Sequence, residues 1–290
     1  MRRPGRVMVA VDGSSLFMRA LSVLPPDKRR PEDLLYMVVG MLRKAGRYVG
    51  ATDLAVMLDT YDTPCWRLTH HPGYKGDRDR NGLQPRQLTP ILRPLLEGRG
   101  IPVGHLEGYE ADDLLKAVAV RVKPTTELFI YTKDSDLYSA LGAGHPHVRL
   151  LWPDNGGKLR VITHREAEEH LGHLPALLPS VRALTADTKD NLRGLFGDPP
   201  PKRAPINKPR AVHLLGTASN DLQAVLSRAE SGFGTATWRE KEVVWVRENR
   251  APITAAWFVA TQVDDAMPPL NPAACAIARM DLSLPDTREQ

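Results

Sequence analysis

Cysteine is nearly absent: Cys65 and Cys275 are the only two in 290 residues, far apart and in no metal-type spacing. That argues against a disulfide framework or a zinc finger and fits free thiols in a reducing compartment. Aromatic residues are also few, at 6%. No run approaches the roughly 20 apolar residues that a membrane helix needs. The first apolar stretch is interrupted at Asp12, too soon for a signal peptide. The expectation is a cytoplasmic protein with no membrane partner. Hydrophobic content of 42% is ordinary for a chain with a real core, and the length suits one large domain or two small ones.

The chain is basic, with 39 Lys and Arg against 34 Asp and Glu and a pI near 9.2. Such a balance suits a polyanionic partner. Yet the stretch GYEADDLL, residues 108–115, places three carboxylates within four residues at the start of an amphipathic pattern.

Residues 6–13 (RVMVAVDG) predict a buried strand, followed by a helix with Ser14 or Ser15 as its N-cap. PEDLLYMVVGMLRKAGRYVG (31–50) predicts a helix with proline at its start. TDLAVMLD (52–59) and ELFIYTKDSD (127–136) predict further strands, and 88–102 is helical before it breaks at Gly98, Gly100 and Pro102. Helix 110–123 lies between them. VRLLWPD and KLRVIT pair across an Asn155-Gly156-Gly157 turn, and Thr163 with Glu166 forms a capping box ahead of Gly172. Alternating strands and helices predict a mainly parallel α/β sheet. Beyond about residue 172 only helical patterns remain, at 176–186, 209–216 and 219–231, interrupted by a proline-rich segment, 197–210. Residues 271–290 read as a disordered tail.

Ligands of parallel α/β sheets gather beyond the C-terminal strand ends. Asp12, Asp59, Asp134 and Asp136 all fall at predicted strand ends. A single such Asp is an ordinary turn former, but three strands ending this way converge on one edge. Glu110 and Asp113 share a helix face, with Asp112 bordering it. A helix N-terminus attracts one or two acids through its dipole. Crowded carboxylates need compensation to stay ionised, and divalent cations supply it. All-oxygen ligand sets select Mg²⁺ or Mn²⁺, and this many acids suggest two or more ions and phosphoryl chemistry.

The motifs VDGSSLFMRAL, LDTYDTPCWR, PGYKGDR, GIPVGHLEGYEADDLLKAVA, YTKDSDLYSAL and LTADTKDNLRGLFG occur in an order and spacing similar to the 5′ nucleases. These are the 5′→3′ exonuclease domains of bacterial DNA polymerase I, stand-alone phage exonucleases and, more remotely, flap endonucleases. The resemblance runs from about Val7 to Leu270. It implies a PIN-like, mainly parallel sheet flanked by helices within residues 1–172, with a helical arch at about 67–100. A small all-α domain of helix-hairpin-helix type follows at 173–270.

Carried over residue by residue, the resemblance implies one metal cluster of Asp12, Asp59, Glu110 and Asp112. A second would comprise Asp113, Asp134, Asp136, Asp187 and Asp190. Asp12 and Asp112 would thus be catalytic through metal. Lys75 and Arg78 match basic residues at the scissile phosphate. Arg19 matches a phosphate contact, and Tyr74 an aromatic that stacks on a terminal base. Seven Lys and Arg against three acids between Arg67 and Arg99 suit a phosphate backbone, with Gly73, Gly76 and Gly82 as a flexible entry. With the nine site acids set aside, the rest of the chain is strongly basic.

The chain departs from the family where a helix-hairpin-helix ordinarily reads Gly-x-x-Gly-x-Gly. Residues 194–201 read GLFGDPPP: the last glycine is missing and three prolines remove N–H donors. This argues against the K⁺ site the resemblance would imply. Lys202, Arg203, Lys208 and Arg210 supply positive charge nearby, and Lys202 and Arg203 are expected to bind substrate. Ala186 replaces a family glycine, which reads as a minor change. Lys133, where the family often has a small residue, balances local charge, and Asn191 turns or caps the backbone. His70-His71 and His145 with His147 lack the partners of a zinc site.

These features predict a metal-dependent 5′ nuclease, exonuclease and flap endonuclease together, acting in replication or repair in a bacterial host cell. Its partners would be DNA with a 5′ flap or free 5′ end, an RNA–DNA hybrid and a replicative polymerase, and the enzyme would be a monomer. The alternative is a structure-specific DNA-binding protein with little catalysis. A haloacid-dehalogenase-type phosphatase needs Asp-x-Asp where Asp12-Gly13-Ser14 stands. A PIN-type RNA nuclease uses fewer acids and lacks the arch and helical domain.

Overall fold

A computed structural model of the chain describes residues 5–76, 85–142, 145–197, 204–231, 238–261, 271 and 274–283. It divides into two compact units. One comprises Met1–Cys65, Arg80–His170 and Val263–Gln290; the other comprises Trp66–Asp79 and Leu171–Gln262. The chain passes from the first unit to the second at Leu171. Residues 66–76 group with the C-terminal helices.

The first unit is built on β1 (Arg6–Asp12), α1 (Gly13–Val23), α2 (Pro31–Val49), β2 (Asp53–Met57), α3 (Pro85–Glu97) and β3 (Val103–Gly104). It continues with α4 (Ala111–Arg121), β4 (Thr126–Tyr131), β5 (Val148–Pro153), β6 (Leu159–Ile162) and α5 (His164–Leu171). The sheet runs β3-β2-β1-β4-β5-β6, parallel except for the β5–β6 hairpin. Central parallel strands are covered on both faces, which explains the unbroken apolar runs of β1 and β2. Val9 and Val11 of β1 join Leu16 and Phe17 of α1, Val38 and Leu42 of α2, and Leu88, Leu92 and Leu96 of α3 in one core. The four-residue spacing of the last three puts them on one stripe. Pro90 and Pro94 lie inside the same helix.

Residues 274–283, part of the stretch read as a tail, run along an edge of the sheet. β3 pairs only with Val56 and Met57, leaving the start of β2 without a neighbour on that side. Ala276 fills the gap as an antiparallel bridge to Asp53, with Leu54 N–H donating to Cys275 O and Ile277 N–H to Thr52 O. A buried strand edge must satisfy its backbone groups, and this segment does so. Beyond it, Asp281 N–H donates to Arg99 O.

The second unit contains α6 (Leu178–Thr185), α7 (Lys208–Thr217), α8 (Leu222–Glu230), α9 (Glu240–Glu248) and α10 (Arg250–Ala260). Sequence patterning indicated the first three and missed the last two. Arg67, 1% exposed, ties the 66–74 segment to α10 through a hydrogen bond from Nε to Val259 O at 2.9 Å. Among the described residues no helix is long and apolar enough to cross a membrane.

Candidate metal centre and nucleic-acid contacts

The first unit gathers acids at the C-terminal strand ends. Asp12 pairs with Met57 in β2, and Val11 with Tyr131 in β4, so these three strands finish together. Asp12 rather than Ser14 or Ser15 caps α1, its Oδ1 accepting from Ser15 N–H at 3.0 Å. Gly13 lets the chain turn there: a Cβ would stand 2.3 Å from Leu58 and 2.7 Å from the Met57 carbonyl.

β4 ends at Tyr131, short of Asp134 and Asp136. Thr132, fully buried, explains the turn: its hydroxyl donates to Asp12 Oδ2 at 2.8 Å and accepts from Asp134 N–H at 2.9 Å. Asp134 then caps a short 3₁₀ helix, accepting from Asp136 N–H. Thr132 was not singled out from sequence, although a Thr two residues ahead of an Asp is a recognisable side-chain turn signal.

Asp59, two residues past β2, accepts from Ser14 Oγ at 2.5 Å, Tyr61 Oη at 3.0 Å and Ala111 N–H at 2.7 Å. The last bond fastens the N-terminus of α4 to the β2 end. There Glu110 and Asp113 form a capping box, with Glu110 N–H donating to Asp113 Oδ2 at 3.2 Å. Asp113 is fully buried, so part of its role is to start the helix. Asp112 Oδ1 accepts from Asp113 N–H at 2.9 Å. Arg19, half-buried on α1, brings its guanidinium close to Gly157 in the β5–β6 turn. Lys133 hydrogen-bonds Asn155 in the same turn.

The electrostatics are those of acids facing acids. Burial, and then the charges of Asp59 and Asp134, push the Asp12 carboxyl up to about 7, against hydrogen bonds from Ser15 and Thr132. Among the described residues no three His, Cys, Asp or Glu side chains stand close enough to hold a metal as they are. The donor set nevertheless fits a hard divalent cation: it is all oxygen, and Asp12 carries the repulsion such an ion relieves.

In the second unit, Asp187 lies 3.7 Å from the buried Arg182 guanidinium and accepts from Lys189 N–H. Asp190 occupies a left-handed turn with φ 53°, and its carbonyl accepts from Lys75 N–H at 3.4 Å. Lys75 itself has φ 52°, with its ammonium 4.9 Å from the Tyr74 ring centroid. Tyr74 is 8% exposed, with Arg67 over its ring as well. It is a packing residue in this conformation, and stacking on a base would require the ring to be uncovered.

Arg210, expected to supply charge to a phosphate, is instead committed to the buried Glu242, at 2.7 and 2.8 Å. A two-pronged pair of this kind leaves the guanidinium little to offer a ligand. Lys208 is exposed at the start of α7. Ala186 is more than a minor change: it adopts φ 47° at the end of α6, where glycine would sit without strain. Arg78, Gly82, Lys202, Arg203 and the 199–201 prolines lie outside the described residues.

Comparison with known proteins gives these acids a context. The solved structure of the T5 D15 protein co-crystallised with metal ions has a TM-score of 0.67, with 19% identity over 89% of each chain. The catalytic core of Rad2 in complex with DNA substrate has a TM-score of 0.52, with 14% identity over 88% of this chain and 77% of its own. Both show the same fold: a mostly parallel six-stranded sheet flanked by helices, the resolvase-like PIN fold. DNA polymerase I of Bacillus caldotenax is 30% identical over 226 residues, covering 75% of this chain and 24% of the relative. DNA polymerase I of Thermus aquaticus is 32% identical over 198 residues, covering 67% and 22%. The chain therefore spans about a quarter of the length of these curated relatives. Residues 7–172 match the family described as 5′-3′ exonuclease, N-terminal resolvase-like domain. With more than half of its length in that match and its sheet in that fold, the chain belongs to the 5′-3′ exonuclease family.

Proposed function

We propose that this protein is a divalent-metal-dependent 5′ nuclease that hydrolyses DNA phosphodiesters as a 5′→3′ exonuclease and 5′ flap endonuclease. One observation carries the reading. Asp12, Asp59 and Asp134 lie at or just past the ends of adjacent parallel strands, where burial first, and then the charges of Asp59 and Asp134, push the Asp12 carboxyl up to about 7. A chain that held these acids for packing alone would gain nothing from setting them against one another.

Asp12, Asp59, Glu110 and Asp112 would hold one Mg²⁺ or Mn²⁺ ion. Asp113, Asp134 and Asp136, with Asp187 and Asp190, would serve a second; these assignments rest on the family resemblance. When bound, such a pair supplies an activated water and a sink for charge on the leaving 3′ oxygen. The protein's part is to hold the carboxylates in place. Ser14, Ser15, Thr132 and the Ala111 N–H fix Asp12 and Asp59 before any ligand arrives. Lys75 and Arg78 would steady negative charge on the phosphate as it forms. Arg19, Lys202 and Arg203 would contact the backbone of a flap, a free 5′ end or an RNA–DNA hybrid. A role beside a polymerase in replication or repair, as a monomer in the cytoplasm, follows from the same reading.

The test is cleavage of a labelled 5′-flap duplex with Mg²⁺, Mn²⁺ or EDTA, comparing wild type with Asp134→Ala. Metal-dependent cutting near the junction that is lost in the variant supports the proposal. Retention of the flap without cutting under any metal would replace it with a DNA-binding protein.

A further inference from the structure

Two loops far apart in sequence, 71–75 and 187–194, are locked together within the second unit. His71, 4% exposed, places Nε2 2.9 Å from the Asn191 carbonyl. A carbonyl only accepts, so Nε2 carries the proton. The Asn191 side chain answers across the same gap, its Nδ2 donating to the Gly73 carbonyl at 3.0 Å. Between them, Lys75 N–H donates to the Asp190 carbonyl. The three contacts form one rung-like set joining the loop of Lys75 to the loop of Asp190.

The glycines show how closely the loops approach. A Cβ on Gly73 would stand 3.0 Å from the His71 ring and 3.2 Å from Asn191 Nδ2. A Cβ on Gly194 would stand 3.0 Å from Asn191 Oδ1. Asn191 is therefore held between two positions where a Cβ would press against its amide. Gly73 serves this approach, where the sequence suggested only a flexible entry. Lys75, Asp190 and Asn191 all have positive φ, a conformation that persists in non-glycine residues only where surrounding contacts enforce it. Arg67 anchors the 66–74 segment to α10, and the backbone winds on through His71 N–H to Arg67 O and Tyr74 N–H to His71 O.

We propose that His71 and Asn191 are positioning residues, a clamp that holds Lys75 and Asp190 in fixed register. Neither touches substrate in this role. The proposal rests on the nuclease reading for the tasks of Lys75 and Asp190, while the clamp itself stands on the geometry of the two loops.

The experiment uses the full-length protein and four variants: Asn191→Gly, His71→Ala, His71→Gln and the double variant Asn191→Gly with His71→Ala. Asn191→Gly removes the side-chain bond while easing the left-handed turn, so it separates the clamp from a folding defect. Three quantities are read: hydrogen exchange at the Lys75 amide, kcat on a saturating 5′-flap duplex with Mg²⁺, and Kd for the same duplex in EDTA. Loss of one hydrogen bond should speed Lys75 exchange about fivefold or more. Displacing the catalytic lysine should lower kcat by up to about 100-fold with Kd unchanged. His71→Gln keeps an N–H donor and should recover most of the kcat that His71→Ala loses. The double variant should be no worse than the weaker single one, because both break the same unit.

Wild-type kcat in Asn191→Gly and His71→Ala would overturn the proposal. So would a loss that appears equally in Kd. If the wild type cuts no DNA at all, it is the nuclease reading that fails. Lys75 exchange then decides the clamp alone: faster exchange in the variants supports it and unchanged exchange overturns it.

Discussion

Arg210 and Glu242 meet in a two-pronged ion pair, Nε to Oε1 at 2.8 Å and Nη2 to Oε2 at 2.7 Å, with Glu242 fully buried. Burial alone would raise the Glu242 carboxyl; the Arg210 hydrogen bonds, the Arg239 N–H and the charges of both arginines outweigh it and hold it below its ordinary value. A depressed carboxylate stabilises the fold fully above its unfolded value, near 4.3, and loses that contribution as pH falls through the folded value below it. Melting temperatures measured from pH 7 down to pH 3 should therefore drop more steeply in the wild type than in Glu242→Gln. Arg210→Ala, which strands a buried charge, should cost about 3–5 kcal/mol at neutral pH.

Asp12 offers the opposite case, a carboxylate that the fold holds against its neighbours. In EDTA, Asp12→Asn should raise the melting temperature, because it removes repulsion with Asp59 and Asp134 while its amide oxygen still accepts from Ser15 N–H and its Nδ2 can donate to the Thr132 hydroxyl. Saturating Mg²⁺ should reverse the ranking, since a ligand at 100 times its Kd adds about 2.7 kcal/mol. Scanning calorimetry with and without metal checks both halves. Equal metal-induced shifts in the two proteins would remove Asp12 from the ligand set.

Ala186 carries a backbone cost that glycine would not. Its φ of 47° penalises a Cβ by about 1–2 kcal/mol. The buried methyl returns about 0.8 kcal/mol of that through burial. Ala186→Gly should therefore stabilise the protein by up to about 1 kcal/mol, read as a higher urea midpoint with an unchanged slope.

The two thiols should differ in reactivity. Cys275 is buried against the start of β2, and burial, followed by the Asp53 charge, pushes its thiol up despite Arg6. Cys65 is only half-buried. A disulfide reagent should modify Cys65 in the native state and reach Cys275 only as the structure opens. Modification of both at one rate would mean that the C-terminal segment leaves the sheet easily.

Much of the fold was legible because its signals are local. The apolar runs of β1, β2 and β4, the proline at the start of α2 and the Thr163–Glu166 box each lie within a few residues. Asp12 and Asp59 could be placed because parallel strands deliver their ends to one edge. What was missed depends on distant partners. β3 is two residues long and exists only because β2 is beside it. Ala276 reads as coil until Asp53 is brought to it. Arg210 looks like a surface cation until Glu242, on another helix, claims it. Thr132 and His71 owe their roles to partners more than a hundred residues away.

The bridge from Ala276 to Asp53 also sets an order of events during synthesis. β2 leaves the ribosome early, whereas the segment that covers the start of its outer edge is made only after all the helices of the second unit. Through that interval Asp53 and Leu54 present open backbone groups, the kind of template that recruits a neighbouring chain. The nascent protein is thus exposed to mispairing until residues 275–277 emerge, and a translational pause just ahead of them would prolong that exposure.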